Sequence, residues 1–304
     1  MSVVANLLAL IVMPFLLAGT ITRVKARWSG RRGPPIFQLA FDVWRLLHKA
    51  PVYSKATTVV FRVGPVVVLA TAIASACIVP LAGTSSLVAF SFDFVWFAYV
   101  WGLGRVALML GALDTGSSFE GMGASREATF ATMLEPILFL VAGALCLHSG
   151  VHTFELALVP RLDAPSAVVM WVAAIAALLV VVQVESSRMP IDDPTTHLEL
   201  TMVHEVMILD HSSRELALLH LGAAIKLFVG VSVIAMLVNP FAGESSIVAV
   251  AAHAGICIAI AIAIGLSEAL IARLKLRVVP QYIVIGLGAA AIALLSMVGR
   301  GGRG

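Results

Sequence analysis

In ESSRMPIDDPTTHLELTMVHEVMILD, residues 185–210, the acids Glu185, Asp192, Asp193, Glu199 and Glu205 stand beside His197 and His204. Carboxylates and imidazoles at this density can ligate a metal, perform acid–base chemistry or carry protons. Metal binding fits poorly. His204-Glu205 begins an H-E-x-x-H signature, whose two histidines must share one helix face, but Ile208 holds the second histidine position. His197 and His204 could share a face, yet two histidines without a third nearby ligand more often cap, pack or pair with acids. The chain also lacks G-x-S-x-G, a P-loop lysine and a dinucleotide glycine fingerprint. Cys77, Cys146 and Cys257 lie far apart inside apolar runs, without the grouped thiolates that hold iron–sulfur clusters. They read as packing residues. No metal or redox cofactor is expected on this chain.

A second set of ionisable residues lies inside apolar runs: Arg62, Asp93, Arg105, Glu135, His148, Lys226, His253 and Glu268. Charges in a bilayer are costly and usually mark ion or proton paths. At a helical rise of 1.5 Å per residue, Glu135 lies about 10 Å, Arg105 about 11 Å and Lys226 about 15 Å from the loop-side ends of their runs. With Glu185 at the mouth, these residues would form a hydrated track toward the middle of the membrane. Arg62 and Glu268 are read as snorkelling to the interface, and His148 and His253 as structural.

The elements that must position these residues follow from composition. Of the 304 residues, 60% are hydrophobic and 12% charged, against about 25% charged in a soluble domain. Apolar runs long enough for a bilayer core fall at 3–21, 60–82, 88–112, 129–148, 165–184, 216–238, 246–270 and 278–298. The fold class is therefore an all-α polytopic membrane protein with about eight transmembrane helices in a single integral domain, 1–304. The first run reads as a retained span and not a cleaved leader. Loops 22–59, 113–128, 185–215 and 271–277 hold fourteen Lys and Arg residues, against three on the opposite side. The positive-inside rule places those loops in the cytoplasm and both termini outside. The net charge of +3 belongs to these loops and is no argument for nucleic acid.

Loop 22–59 carries a further element. After Gly33-Pro34-Pro35 comes IFQLAFDVWRLLHK, in which Gln38, Asp42, Arg45 and Lys49 share an arc of about 60° on a helical wheel. Such an amphipathic helix lies along the membrane interface or against a protein partner. In the acidic segment, Asp193-Pro194 reads as a helix start, with Asp193 capping. The helix predicted over 195–209 mixes Leu198, Met202, Val206 and Leu209 with Glu199 and Glu205. Those apolar residues make the segment a structured cytoplasmic loop, partly buried, and not a solvated linker. Apolar faces around Trp44 and around Leu198 and Met202 are expected to dock a partner.

Three stretches together resemble a known family: residues 185–210 above, ALDTGSSFEGMGASREATFATMLEP at 112–136, and RRGPPIFQLAFDVWRLLHKAPVYS at 31–54. They resemble the membrane subunit of formate hydrogenlyase and related energy-converting NiFe hydrogenases, which is homologous to the quinone-chamber membrane subunit of respiratory complex I. The resemblance runs over nearly the whole chain in order. It implies a non-catalytic subunit that anchors the hydrogenase large and small subunits and an iron–sulfur subunit, and that passes their redox state to an antiporter-like membrane subunit. The NiFe centre and the iron–sulfur clusters would then belong to those partners. By position, Glu135 and Arg126 match the family's acid and base around the fourth span, and Glu185, Asp192 and Glu199 its acidic loop. Glu135, Glu185, Lys226, Arg105, Arg126, Glu199 and Glu205 are thus the candidates for moving protons or sodium ions. Asp192, Asp193, Arg188, Trp44, Arg45, Gly33 and Pro34 are the candidates for docking. The alternative is a quinone-reactive NADH dehydrogenase subunit of complex I type. In complex I the loop runs Phe-Asp-Leu-Pro-Glu-Ala-Glu before a Ser-Glu-Leu, whereas here it runs Ile191-Asp192-Asp193-Pro194-Thr195-Thr196-His197 before Leu198-Glu199-Leu200. Thr195 and His197 stand where complex I has acids, which favours the hydrogenase branch.

Overall fold

The structure, a computed structural model, describes residues 2–192, 202–244, 246–271 and 274–301, with side chains through residue 298. Among these the chain is all helical. In order come α1 (Ser2–Trp28), α2 (Gln38–Leu47), α3 (Val59–Ile78), α4 (Asp93–Asp114), α5 (Ser118–Ser149), α6 (Phe154–Ala157), α7 (Pro165–Glu185), α8 (His204–Met207), α9 (Ser213–Val238), α10 (Ile247–Leu270) and α11 (Val279–Gly301). Eight of these helices are long and apolar enough to cross a membrane, so the chain is a multi-pass membrane protein.

Local chemistry sets several boundaries. Thr58 caps α3 by accepting from Val60 N, and Ser246 caps α10 by accepting from Ala249 N. Pro165 opens α7, where its missing N–H costs nothing. Gly150 ends α5 with φ of 68°, a left-handed conformation that glycine adopts without strain. Two elements depart from the sequence reading. α5 begins at Ser118, so most of the stretch assigned to loop 113–128 is helix. A hydropathy window stops at its charges, whereas Met122, Ala124, Arg126, Glu127 and Ala128 keep the backbone helical. In the acidic segment, only His204–Met207 of the predicted 195–209 helix is helical among the described residues, and Met202 and Val203 are not. Asp193, Leu198 and Glu199 lie outside the described residues, as does the expected Asp193 cap.

Hydrogen bonds between helix ends show the helices alternating in direction. At the end bearing the long loops, Thr58 N donates to Asp114 Oδ2 (2.7 Å), Asp210 N to Glu120 Oε1 (3.1 Å) and Leu274 N to Pro190 O (2.9 Å). At the opposite end, Asn6 Nδ2 donates to Ser85 O (2.6 Å) and Phe154 N to Asp93 Oδ1 (2.6 Å). The bundle packs around α9, whose buried residues run from Ser213 to Leu237 with Phe228 fully enclosed. α7 lies against α9, α5 and α11, and α1 against α10. A smaller apolar cluster joins Met202, Val206, Met207 and Ile208 to Leu108, Ala112, Ala124 and Leu219, which anchors the described end of the acidic segment. Gly123 is needed there, because a Cβ would overlap the Val206 side chain. Met202 is thus core, not an open docking patch.

Candidate functional site

Arg105 of α4 is the hub of a charged cluster between α4, α5, α7 and α9. Its Nη2 pairs with Glu185 Oε1, its Nε lies 3.3 Å from Glu127 Oε1, and its Nη1 lies 3.9 Å from Glu135 Oε1. Glu185 also accepts a hydrogen bond from Lys226 Nζ at 2.8 Å, and that ammonium faces the Trp101 ring at 5.7 Å, a cation–π contact. Arg105 and Glu185 are buried, whereas Glu135 is 54% exposed on the outer flank of α5. If all are ionised, two cations (Arg105, Lys226) oppose three carboxylates (Glu127, Glu135, Glu185), leaving one negative charge unbalanced.

The depths inferred from sequence imply a track, and the structure compacts it into a knot. Glu185 at the end of α7 touches Lys226, which lies thirteen residues into α9. Counting from the ends of apolar runs assumes that every helix starts at the membrane surface. Here α5 and α9 extend past their apolar runs at the loop-bearing end.

On the loop side of Glu185 lies a partly open chamber of about 440 Å³, lined by α1, α2, α7, α9, α10 and the segment 186–192. Glu205, His204 and His220 line one wall, and Lys25, Arg188 and Glu268 another. Glu268 does not snorkel. It is buried and pairs with Lys25 (3.7 Å) and Arg188 (3.5 Å), partners from α1 and the acidic segment that no hydropathy pattern reveals. Arg62 does reach outward, and its guanidinium stacks over Tyr53 at 4.1 Å.

The other candidate residues take separate places. Arg126 Nη1 donates to Met202 O at 2.9 Å, which ties α5 to the acidic segment. Asp192 is 1% exposed, and its Oδ2 accepts from Val203 N and His204 N, both at 3.0 Å, so its charge meets the start of α8. Gly33 packs against Arg23 and Ala26 of α1, and Pro34 borders the chamber. Trp44 and Arg45 are exposed, with Arg45 Nη2 at 3.1 Å from Asp42. Glu127 is not among the residues expected from the sequence, because it falls before the apolar run that starts at 129. Its spacing from Glu135, two turns along a continuous helix, was the available signal. A second buried group, at the start of α9, also went unnoticed. His211 stacks on Phe61 with centroids 3.9 Å apart, Tyr53 Oη donates to Glu215, and Ser213 Oγ donates to Ala50 O at 2.5 Å. Burial pushes the His211 imidazole down to about 4 despite neighbouring Glu215, and the hydrogen bond to Glu215 raises the Tyr53 phenol. No three His, Cys, Asp or Glu side chains converge as metal ligands among the described residues.

A buried ion knot above a charged chamber, carried by an eight-span bundle, frames the comparison with known proteins. The family described as NADH dehydrogenase matches residues 1–299. The chain belongs to that family. Hydrogenase-4 component C of Escherichia coli (strain K12) is 30% identical over 240 residues, covering 78% of this chain and 74% of that one. Formate hydrogenlyase subunit 4 of the same organism is 28% identical over 297 residues, 93% of each. Among solved structures, a chain of the membrane-bound sulfane sulfur reductase, an archaeal respiratory membrane complex, superposes with a TM-score of 0.78 at 17% identity. The match covers 97% of this chain and 99% of that one, and it shows a shared fold. The resemblance read from the three sequence stretches agrees with these relatives.

Proposed function

We propose that this chain is the membrane-anchoring and coupling subunit of an ion-translocating NiFe hydrogenase complex of formate hydrogenlyase type. The observation that carries the reading is the knot of Arg105, Glu127, Glu135, Glu185 and Lys226 at the inner end of a charged chamber. The acidic segment 185–210, including Asp193 and Glu199, receives the hydrogenase large and small subunits and their iron–sulfur partner. Arg188 and Asp192 hold that segment in shape, and Arg126 joins it to α5. A charge change in the docked module alters the field at Glu205 and Glu185. The knot answers by shifting one proton or sodium ion, because a carboxylate's protonation follows neighbouring charge. Glu135, exposed on the flank of α5, is where that shift passes to an antiporter-like membrane subunit, since a carboxylate left facing lipid is costly. The NiFe centre and clusters reside on the partners. The loop-bearing end faces the cytoplasm of a prokaryotic inner membrane, with both termini outside. The quinone-reactive alternative is weaker, because Thr195 and His197 stand where the complex I loop carries acids.

The test is Glu135→Gln in the assembled complex. This change keeps shape and hydrogen bonding while removing the titrating group. Turnover of the membrane-bound complex, or the gradient it forms, falls, while catalysis by the detached redox module is unchanged. An assembled Glu135→Gln complex with wild-type turnover and gradient would reduce this residue to packing.

A further inference from the structure

One face of α4 carries a pattern that the ion knot does not use up. Asp93, Phe97, Trp101 and Arg105 recur every fourth residue and are all buried, so they follow one gently winding stripe of the helix. A carboxylate and a guanidinium thus close the two ends of an aromatic stretch. Twelve residues separate them, about 18 Å at helical rise. Trp101 meets the knot, with Lys226 Nζ 5.7 Å from its ring, and meets Phe97 edge-to-face with centroids 4.7 Å apart. Phe97 in turn lies 5.4 Å from Phe154, whose N–H donates to Asp93 Oδ1 at 2.6 Å. Along this line, between α4, α5, α7 and α9, lies a cavity of about 30 Å³. Its wall includes Phe97, Trp101, Leu145, Phe154, Val182 and Val233. Val182 comes one turn before Glu185, and Gly230, one turn past Lys226, lies so close that a Cβ on it would overlap Val182 and touch the Trp101 ring. The cavity therefore begins one turn from both Glu185 and Lys226.

Asp93 has more chemistry than its structural task requires. Oδ1 alone holds the Phe154 amide, which an asparagine would do as well without the expense of a buried carboxylate. Oδ2 is buried without a hydrogen-bond partner among the described residues, as are Trp101 Nε1 and Thr153 Oγ1. Buried polar atoms left open in this way call for water, and an acyl chain offers them nothing. Glu155 of α6 and Cys146 of α5 are the titratable groups that act on Asp93 electrostatically. Half-buried Glu155 accepts from Ser86 Oγ at 2.5 Å, and His152 nearby is exposed, so Asp93 has polar neighbours at the surface away from the long loops. Volume sets what can pass. A water needs about 10–15 Å³, so the cavity has room for about two. A file of waters about 2.8 Å apart needs about six to cover the 18 Å between the charges. The file is incomplete with Phe97 in place, and a sodium ion with its water shell does not fit.

We propose that Asp93 is the far terminal of a proton path through this subunit, joined to the knot along the Phe97–Trp101 stripe and gated by Phe97. The proposal rests on the reading that the knot shifts charge, and it narrows the moving ion to a proton. When Phe97 swings away from Phe154, water completes the file, and when it returns the apolar wall dries the path again. In the open state one proton leaves the Glu185 carboxyl group for the file, and one proton passes from the other end of the file to the Asp93 carboxylate. No electron moves. Glu185 is left as the carboxylate that Arg105 and Lys226 hold, and neutral Asp93 releases its proton to water beside Glu155.

Asp93→Asn tests it in the assembled complex, reconstituted in liposomes that enclose a pH-sensitive dye. Asparagine keeps the acceptor for Phe154 N and removes the titrating group. Protons moved per turnover should fall at least about fivefold, while catalysis by the detached redox module is unchanged. Redox-difference infrared spectra of the wild type should show a carboxylic-acid C=O band that Asp93→Asn abolishes, a change that a purely structural acid would not give. Phe97→Ala, without redox substrate, should raise passive proton conductance under an imposed potential at least about tenfold, and adding Asp93→Asn should cancel the rise. Wild-type proton transport by an assembled Asp93→Asn complex would overturn the proposal and leave the role given to Glu135 standing. An assembled Phe97→Ala complex that does not leak would overturn it too, whichever way the Asn variant behaves. So would labelling of Phe97 or Trp101 by a phospholipid with a diazirine in its acyl chain, since lipid would then fill the cavity.

Discussion

Glu185→Gln should destabilise the bundle by stranding Lys226 and removing one of the carboxylates that hold Arg105. Wild-type Glu185 offers one oxygen to Arg105 and the other to Lys226, and its side chain is only 3% exposed. Arg105 keeps Glu127 at 3.3 Å and Glu135 at 3.9 Å after the change, but Lys226 loses the one carboxylate within ion-pair reach among the described residues. Removing one partner of a buried pair costs about 3–5 kcal/mol. The surviving Arg105 contacts place the expected loss at the lower end, about 3 kcal/mol. At a few degrees per kcal/mol, the melting temperature of the purified subunit should fall by roughly 6–12 °C. Lys226→Met alone leaves Glu185 with Arg105 and should cost less. The decisive measurement is the double variant. With Lys226 already apolar, the Glu185→Gln change strands one cation fewer, so the two losses should fall short of additivity by about 1–3 kcal/mol. Thermal unfolding of all four proteins in one detergent, followed by size exclusion, measures this coupling. Additive losses would show that Glu185 and Lys226 do not interact and would remove the basis for a connected knot.

Other outcomes follow from single contacts. Asp192→Asn weakens the cap on α8 and should cost about 1 kcal/mol, with faster amide exchange confined to residues near 203–208; unchanged exchange there would exclude the capping role. His211, held neutral by burial with its folded pKa near 4, binds its proton more readily when unfolded. Its contribution is complete above pH 6.5 and is lost as pH falls from 6.5 toward 4, by about 2–3 kcal/mol; His211→Gln should flatten the melting profile over that window. Gly83 has φ of 76°, and a Cβ there would stand 2.6 Å from the His253 Cβ. Gly83→Ala should therefore cost about 1–3 kcal/mol, and a neutral melting temperature would contradict the close packing of that turn. Reporter fusions at residues 120 and 200 should both read cytoplasmic, and periplasmic signals from both would reverse the proposed orientation.

The eight apolar runs and the expensive charges within them were open to a reader of the sequence, because the bilayer penalises both short spans and buried ions. Arg105, Glu135, Glu185 and Lys226 could accordingly be selected together and do meet in space. What could not be read were partners set by tertiary packing. Glu268 looks like an interfacial residue until α1 and the acidic segment bring Lys25 and Arg188 to it. Asp192 reads as a docking acid, yet it is buried, and the amides it caps at Val203 and His204 lie eleven and twelve residues on, beyond any local capping motif. Glu127 was hidden for a different reason. Polarity marks where a helix leaves lipid, not where it stops being a helix, and α5 continues well past that point.

The length of α5 has a mechanical consequence. Gly123 is wedged against Val206 and Met207 of the acidic segment, Glu127 and Glu135 reach Arg105, and Pro136 follows at once. An unbroken helix transmits a push along its axis almost undiminished, whereas a proline removes a backbone hydrogen bond and lets the rod bend. A shove on the acidic segment would therefore arrive at Glu127 and Glu135 as a stroke along the helix and be absorbed at Pro136. The far half of α5, with Leu145 fully enclosed in the main core, would stay still. The same helix would serve as piston rod on one side of its proline and as fixed cylinder wall on the other.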